Sequence, residues 1–228
     1  ADVMLGGAAE SAFAPLCFAG FGNMTATSTR TDKDRCSTPF DKERDGFVMG
    51  EGSAFLVLES LENAKTRGAR IYGEITGYGS TCDAYHITSP DPEGAGASGA
   101  MRMALREAGI MPGDIDYINA HGTGTPLNDL YETRAVKAVF GEKTKIPISS
   151  VKGNIGHLLG AAGSIEALFS MKAMLDDFIP PTINLKVPDE ELDLDYVPNE
   201  GRNQKLDCVM TNSLGFGGHN GSLVIRKY

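Results

Sequence analysis

The sequence predicts an α/β protein built on a parallel sheet with helices over both faces, carrying one complete unit of a duplicated fold and the tail of another. Three observations predict this. From residue 71 onward, apolar runs of strand length alternate with helical periodicity in the order β-α-β-α-β-α-β-β. Helices inserted between buried strands imply parallel neighbours covered on both sides. GFVMGEGSAFLVLES (46–60) is echoed by GFGGHNGSLVIRK (215–227): Gly-Phe, glycines, Gly-Ser, then an apolar strand. Finally, 228 residues at 41% hydrophobic and 22% charged supply the core of one large domain or two small ones.

The elements follow in order. DVMLGG reads as a strand, and GFVMGEGSAFLVLES as a hairpin-like pair around a glycine turn. Residues 1–59 are thus the end of a first unit, 60–70 a connecting helix, and 71–228 the second unit. IYGEITGYGS (71–80) reads as a strand. GASGAMRMALREAG has apolar residues at helical spacing and ends at Gly109, a candidate C-cap. IDYINA is a buried strand. PLNDLYETRAVKAVF is a helix with Thr125 as N-cap, Pro126 at its first position and Gly141 as its stop. IPISS is a strand, HLLGAAGSIEALFSMKAML (157–175) a helix rich in small residues, and 179–200 a Pro-rich acidic loop. CVMTNSLGF and GSLVIRKY close the chain as strands. The first unit's opening elements are absent, so its sheet should expose apolar edges and faces.

Composition excludes several classes. A net charge of −9 argues against nucleic-acid binding. KTRGAR (65–70) and GEKTK (141–145) read as solvated surface charge rather than docking patches. No apolar run approaches the roughly eighteen residues of a membrane span, and no signal segment is apparent. The chain opens without an initiator methionine, as if in the middle of a protein. Cys17, Cys36, Cys82 and Cys208 are far apart, with no CxxC pair, so reduced thiols in a cytoplasmic setting are expected.

Two histidines stand in unusual surroundings. In YINAHGTGTPLND (117–129), His121 lies among Ala120, Gly122, Thr123, Gly124 and Thr125, residues too small to pack it. In SSVKGNIGHLLGAAG (149–163), His157 follows a glycine-rich turn, with Lys152 before it and Glu166 later in the helix. Both follow a strand, at the sheet edge where α/β proteins bind ligands. Two imidazoles reaching one pocket could donate paired N–H bonds to a carbonyl oxygen becoming an enolate. A nearby lysine charge would keep the rings neutral. Singly, each histidine reads more readily as structural. Zinc is disfavoured, because no closely spaced Cys or carboxylate accompanies either. Thr123 and Thr125 also suit a turn and an N-cap. GFGGHNG also suits a tight hairpin, and it does not satisfy the dinucleotide fingerprint.

Taken together, NAHGTGTPLND, SSVKGNIGHLLGAAG and NSLGFGGHNG, in that order, resemble the β-ketoacyl-acyl-carrier-protein synthases. PFDKERDGFVMGEGS and DAYHITSPDPEGAG narrow the resemblance to the type II elongating enzymes of bacterial or organellar fatty-acid synthesis. The resemblance covers essentially the whole chain. It implies a thiolase-like αβαβα layered fold of two similar halves, here the tail of the first and the complete second.

It also implies a decarboxylative Claisen condensation. A cysteine takes an acyl chain from a carrier-protein thioester, malonyl-carrier protein loses CO2, and the carbanion attacks the acyl-cysteine. By resemblance, His121 and His157 stabilise the enolate and Lys152 is the active-site lysine, with Glu166 as its partner. Thr123 and Thr125 hydrogen-bond the pantetheine arm. Phe216 gates the nucleophile, with Gly215, Gly217 and Gly218 letting that loop move. Asn212 and Ser213 would lie near a monovalent cation. No organic cofactor is implied beyond the phosphopantetheine arriving on the carrier protein. The implied partners are an acyl carrier protein, docked on a local basic patch, and a second copy of the chain in a homodimer. The implied location is the cytoplasm or an organellar matrix or stroma.

The resemblance breaks at the nucleophile. The family's catalytic cysteine lies upstream of the stretch matching ADVMLGGAAE, and none of the four cysteines sits in the small-residue turn before a helix where a thiolate would be activated. Leu214 stands where related enzymes often carry phenylalanine. Three readings follow: an elongating condensing enzyme whose nucleophile comes from an upstream segment, a non-catalytic partner of the chain-length-factor type, or an inert structural fragment. Retention of both histidines, Lys152 and the Gly-Phe-Gly-Gly loop favours the first. These 228 residues alone are expected to be catalytically incomplete.

Overall fold

The computed structural model describes residues 1–228. Strand β1 (Val3–Glu10) and helix α1 (Pro15–Asn23) lead through a long irregular strap to β2 (Gly52–Glu59), which pairs antiparallel with β1 from Val3↔Glu59 to Glu10↔Gly52. Helix α2 (Leu61–Thr66) follows, with Ser60 Oγ accepting the Asn63 N–H at 3.2 Å as its N-cap. Next come β3 (Glu74–Cys82), α3 (Ala95–Ala108), β4 (Tyr117–Asn119), α4 (Pro126–Phe140), β5 (Ile148–Ser149), α5 (Lys152–Ile155) and α6 (Ala162–Asp176). A short ribbon of β6 (Phe178–Ile179) and β7 (Arg202–Asn203) precedes β8 (Cys208–Gly215) and β9 (His219–Arg226).

The main sheet runs β3-β9-β8-β4-β5. It is mixed, which corrects the parallel sheet expected from sequence. β8, β4 and β5 are parallel, but β9 lies antiparallel to both β8 and β3. The short turn between β8 and β9 forces this, since a parallel return needs a crossover of about a dozen residues. Alternate strand residues feed two cores. Ile118, Met210 and Val224 pack with Met101 of α3 and Val136 of α4, whereas Tyr117, Val209 and Ile225 pack with Ala173 and Met174 of α6. α3 sits close on β3 because Gly77 and Gly79 carry no side chain. A Cβ there would meet the carbonyl oxygens of Ala104 and Ala100 at 2.1 and 1.9 Å.

Helix α6 also contacts the β1–β2 ribbon, so it lies between two sheets. That ribbon's Val3, Met4, Leu5, Phe55 and Val57 are exposed.

Two further expectations are corrected. Residues 46–60 form no hairpin. Only 52–59 is strand, while Phe47 and Met49 make isolated parallel bridges to Thr27 and His157. Residues 157–175 are not one helix either. Gly156 (φ 74°, ψ −177°) ends α5, His157 lies extended against Met49, Leu159 takes φ 45°, and a 3₁₀ turn over Leu159–Ala161 precedes α6. The extended segment, rather than a helix start, sets the direction of the His157 ring.

Candidate active site

A cavity of about 900 Å³ opens beyond the C-terminal ends of β4 and β5 and beside the β8–β9 turn. His121, Thr123, Thr125, His157, Ser213, Phe216 and Asn220 are among its lining residues. β4 delivers His121 two residues past its end. β5 delivers Lys152 through a sharp turn in which Ser150 Oγ donates to the Gly122 carbonyl at 2.6 Å and accepts the Lys152 N–H at 3.2 Å.

The two imidazoles meet with ring centroids 5.2 Å apart and planes at 83°. His157 Nδ1 accepts the Leu159 N–H at 3.1 Å, which places the ring proton on Nε2. Lys152 Nζ lies 3.3 Å from His121 Nδ1. An ammonium only donates, so His121 Nδ1 accepts and its proton also sits on Nε2. Burial, followed by the Lys152 charge, holds both rings well below the ordinary imidazole range, and His157 adds to the effect on His121. Both are therefore neutral Nε2–H donors near neutral pH. Phe47 packs edge-on against His157 at 5.2 Å and Phe21 edge-on against Phe47 at 5.3 Å, fixing the His157 ring from the other side.

Lys152 is 2% exposed and forms an ion pair with Glu166, which is 1% exposed. Its ammonium also donates to the His121 carbonyl. Burial holds the Glu166 carboxyl above its ordinary range, and Lys152 offsets only part of that rise. Thr125 occupies the position before α4 with an extended backbone, but its side chain does not cap the helix. Its Oγ1 instead meets Thr123 Oγ1 at 2.9 Å, so the hydroxyl pair lies on the cavity wall. Phe216 is 47% exposed at the mouth. Its turn contains Gly217 and Gly218 at φ 86° and 80°, and is tied to the 83–90 loop by Gly217 N–H to Ile87 O (2.7 Å) and Asp83 N–H to Gly218 O (2.8 Å).

Asn212 and Ser213 lie on β8, and both side chains are hydrogen-bonded. Asn212 Oδ1 accepts from Ser222 Oγ at 2.8 Å, and Ser213 Oγ bonds Glu166 at 3.4 Å. The buried oxygens without partners in this layer are Asn119 Oδ1 and Thr211 Oγ1. No cysteine lines the cavity. Cys208 is buried with its thiol pushed up to about 11, chiefly by desolvation.

The sequence reading missed two buried carboxylates on α4. Glu132 accepts the His121 and Gly122 N–H groups, both at 2.8 Å. Asp129 accepts from Phe40 N (2.8 Å) and Gly124 N (3.2 Å). Their i, i+3 spacing was the available signal, since it places both on one helix face. Phe47 was also missed as a ring-packing residue.

Comparison with known proteins identifies the family to which this fold belongs. The chain belongs to the beta-ketoacyl synthase family: residues 72–186 match its C-terminal domain and residues 1–64 its N-terminal domain. It is 53% identical to the 3-oxoacyl-[acyl-carrier-protein] synthase 2 of Synechocystis sp. and 53% identical to that of Coxiella burnetii, in each case over 100% of this chain and 55% of the relative. The chain thus spans about half the length of the curated relatives it matches. Among solved structures, a beta-ketoacyl synthase from Burkholderia phymatum superposes with a TM-score of 0.94 at 42% identity, over all of this chain and 55% of the other. A chain of a complex between a type II PKS acyl-carrier protein and its ketosynthase superposes with a TM-score of 0.97 at 41% identity, over all of this chain and 57% of the other. Another similar structure is a ketosynthase with its chain length factor, at a TM-score of 0.92 and 40% identity, over all of this chain and 54% of the other. The fold is thiolase-like. No helix is long and apolar enough to cross a membrane.

Proposed function

We propose that this chain supplies the decarboxylation half-site of an elongating condensing enzyme, with residues 1–59 ending its first thiolase-like half, 60–70 connecting, and 71–228 forming the second. The observation that carries the reading is the pair of neutral Nε2–H imidazoles on one cavity, beside a buried Lys152–Glu166 pair. In the malonyl thioester the C–CO2 bond breaks, its electron pair moves onto the thioester carbonyl, and CO2 leaves. The enolate oxygen accepts from His121 and His157 Nε2–H, donors already oriented and desolvated. The enolate carbon then attacks an acyl thioester on a cysteine, forming the carbon–carbon bond and releasing the thiolate. That cysteine comes from residues outside this chain. Thr123 and Thr125 bond the pantetheine arm, and the Phe216 turn closes the acyl side. No further organic cofactor takes part.

An acyl carrier protein and a second copy of the chain are the partners. The cytoplasm, or an organellar matrix or stroma, is the proposed location. The test is CO2 release from malonyl-carrier protein by the protein that contains this chain. Activity that falls at least about 100-fold in both His121→Ala and His157→Ala supports the reading. A wild-type protein that binds a partner ketosynthase but releases no CO2 would instead support the chain-length-factor reading, which the similarity to a ketosynthase–chain length factor structure keeps in play.

A further inference from the structure

We propose that His86 is a positioning residue for the rim of the cavity, a neutral ring whose Nδ1 fastens the 83–90 loop and whose protonation releases it. This role rests on the reading of the cavity as the site of malonyl-carrier decarboxylation. His86 Nδ1 accepts two consecutive backbone N–H groups, those of Thr88 and Ser89, each at 3.1 Å, with Thr88 Oγ1 3.4 Å away. A ring nitrogen that accepts holds no proton, so the ring proton of His86 sits on Nε2. Thr88, Ser89 and Pro90 line the cavity, and Ile87, enclosed within this turn, accepts the Gly217 N–H at 2.7 Å. The His86 ring thus shapes one short turn that both forms cavity wall and holds the turn carrying Phe216.

Local preference does not keep the loop in this shape. Ala84 takes φ 50°, a left-handed conformation that an alanine holds only where its surroundings fix it. The start of the loop is fixed by Asp83, whose carboxylate accepts from Asn220 Nδ2 at 2.7 Å and from the Asp91 N–H at 3.0 Å. His86 is exposed, and so are Tyr85 and Ile87 on either side, so packing does little to hold the turn itself. An imidazolium donates from both nitrogens. A proton on Nδ1 would therefore point at two donors, and both bonds would break together. The ionisable groups bordering the loop are Asp83, Tyr85 and Asp91 within it, Cys82 at the end of β3 and His219 at the start of β9. Both carboxylates are already engaged by N–H groups, Asp91 by that of Ala95 at 2.9 Å.

The test uses the complete protein that contains this chain as wild type, His86→Asn and His86→Ala, assayed for malonyl-carrier decarboxylation from about pH 5 to 8, where imidazoles titrate. Asparagine offers an oxygen that accepts the N–H two residues on but takes up no proton. Wild-type KM should rise about 10-fold towards the acid end, as the loss of two modest hydrogen bonds implies. His86→Ala should show that raised KM, about 10-fold, already at the alkaline end, with kcat within about twofold of wild type. His86→Asn should keep the low KM throughout. Glu132 and His219 are intact in His86→Asn, so any acid rise in KM that they cause would survive there. In wild type, protection of the Thr88 and Ser89 amides against hydrogen exchange should fall as the His86 ring nitrogens, followed by magnetic resonance, take up their proton. A His86→Asn whose KM still rises in acid, or amide protection indifferent to the charge on the ring, would overturn the proposal. Amide protection that follows the ring in a wild type releasing no CO2 would overturn the decarboxylation reading and leave the role of His86 intact.

Discussion

Replacing Lys152 by Met removes one member of the buried ion pair and leaves Glu166 among groups that cannot solvate a charge. The carboxyl avoids this by protonating. Against an ordinary value of 4.5, holding it protonated at pH 7 costs about 3 kcal/mol, and at pH 5 under about 1 kcal/mol. The His121 carbonyl loses its donor at either pH, about 1–2 kcal/mol more. Total destabilisation is thus about 4–5 kcal/mol at pH 7 and about 2 kcal/mol at pH 5, within the range for broken buried pairs. Urea unfolding followed by circular dichroism at both pH values measures it. Lys152→Met with Glu166→Met should recover most of the pH-dependent part, because no charge is then stranded. A loss equal at pH 5 and pH 7, or no recovery in the double variant, would refute the reasoning.

Glu132 makes stability fall as pH rises. Its folded value is raised to about 7, chiefly by burial, from 4.5. The folded state therefore holds this proton more tightly. The resulting stabilisation is fully present below about pH 4.5 and is lost as pH rises through 7, amounting to about 3 kcal/mol. Urea midpoints of wild type minus Glu132→Gln, taken from pH 4 to 8, should trace that fall. Gly122→Ala should destabilise by about 2–3 kcal/mol, since φ is 41° and its Cβ would meet Ser150 Cβ at 2.5 Å; an unfolding midpoint within error of wild type would contradict this. Tyr117→Phe should cost about 1 kcal/mol by removing the 2.7 Å bond to Ser149 Oγ, and adding Ser149→Ala should recover part of it.

The histidines that line the cavity were legible in the sequence because their neighbours are small. Glycine, alanine and threonine around His121 leave a cavity, and a residue that nothing in the chain packs on one side declares itself. Helix limits at Pro126, Gly109 and Gly141 were legible for a similar local reason: each residue type dictates its own backbone. The carboxylates of Asp129 and Glu132 were not legible. On a helix of mixed polarity they look like a solvated face, and only tertiary docking against the 121–124 loop buries them. The break before α6 was equally hidden, because Leu158, Leu159 and Ala161 all suit a helix. Leu159 takes φ 45° just after His157, which is bridged to the distant Met49 and accepts the Leu159 N–H, contacts that no local residue pattern announces.

The strap between α1 and β2 reaches across the chain to fasten the site. Ser37 bonds Lys152 over 115 residues, Arg44 bonds Asp189 over 145, and Arg35 bonds Asn184 over 149. Contacts of such sequence separation close only after the intervening chain has been ordered, so they form late and slow the search. Secondary structure can thus return well before the His157 ring finds Phe47. In a refolding experiment on the protein that contains this chain, far-ultraviolet ellipticity should recover ahead of the proposed CO2 release from malonyl-carrier protein, making that activity a readout of the last loops to close rather than of the fold as a whole.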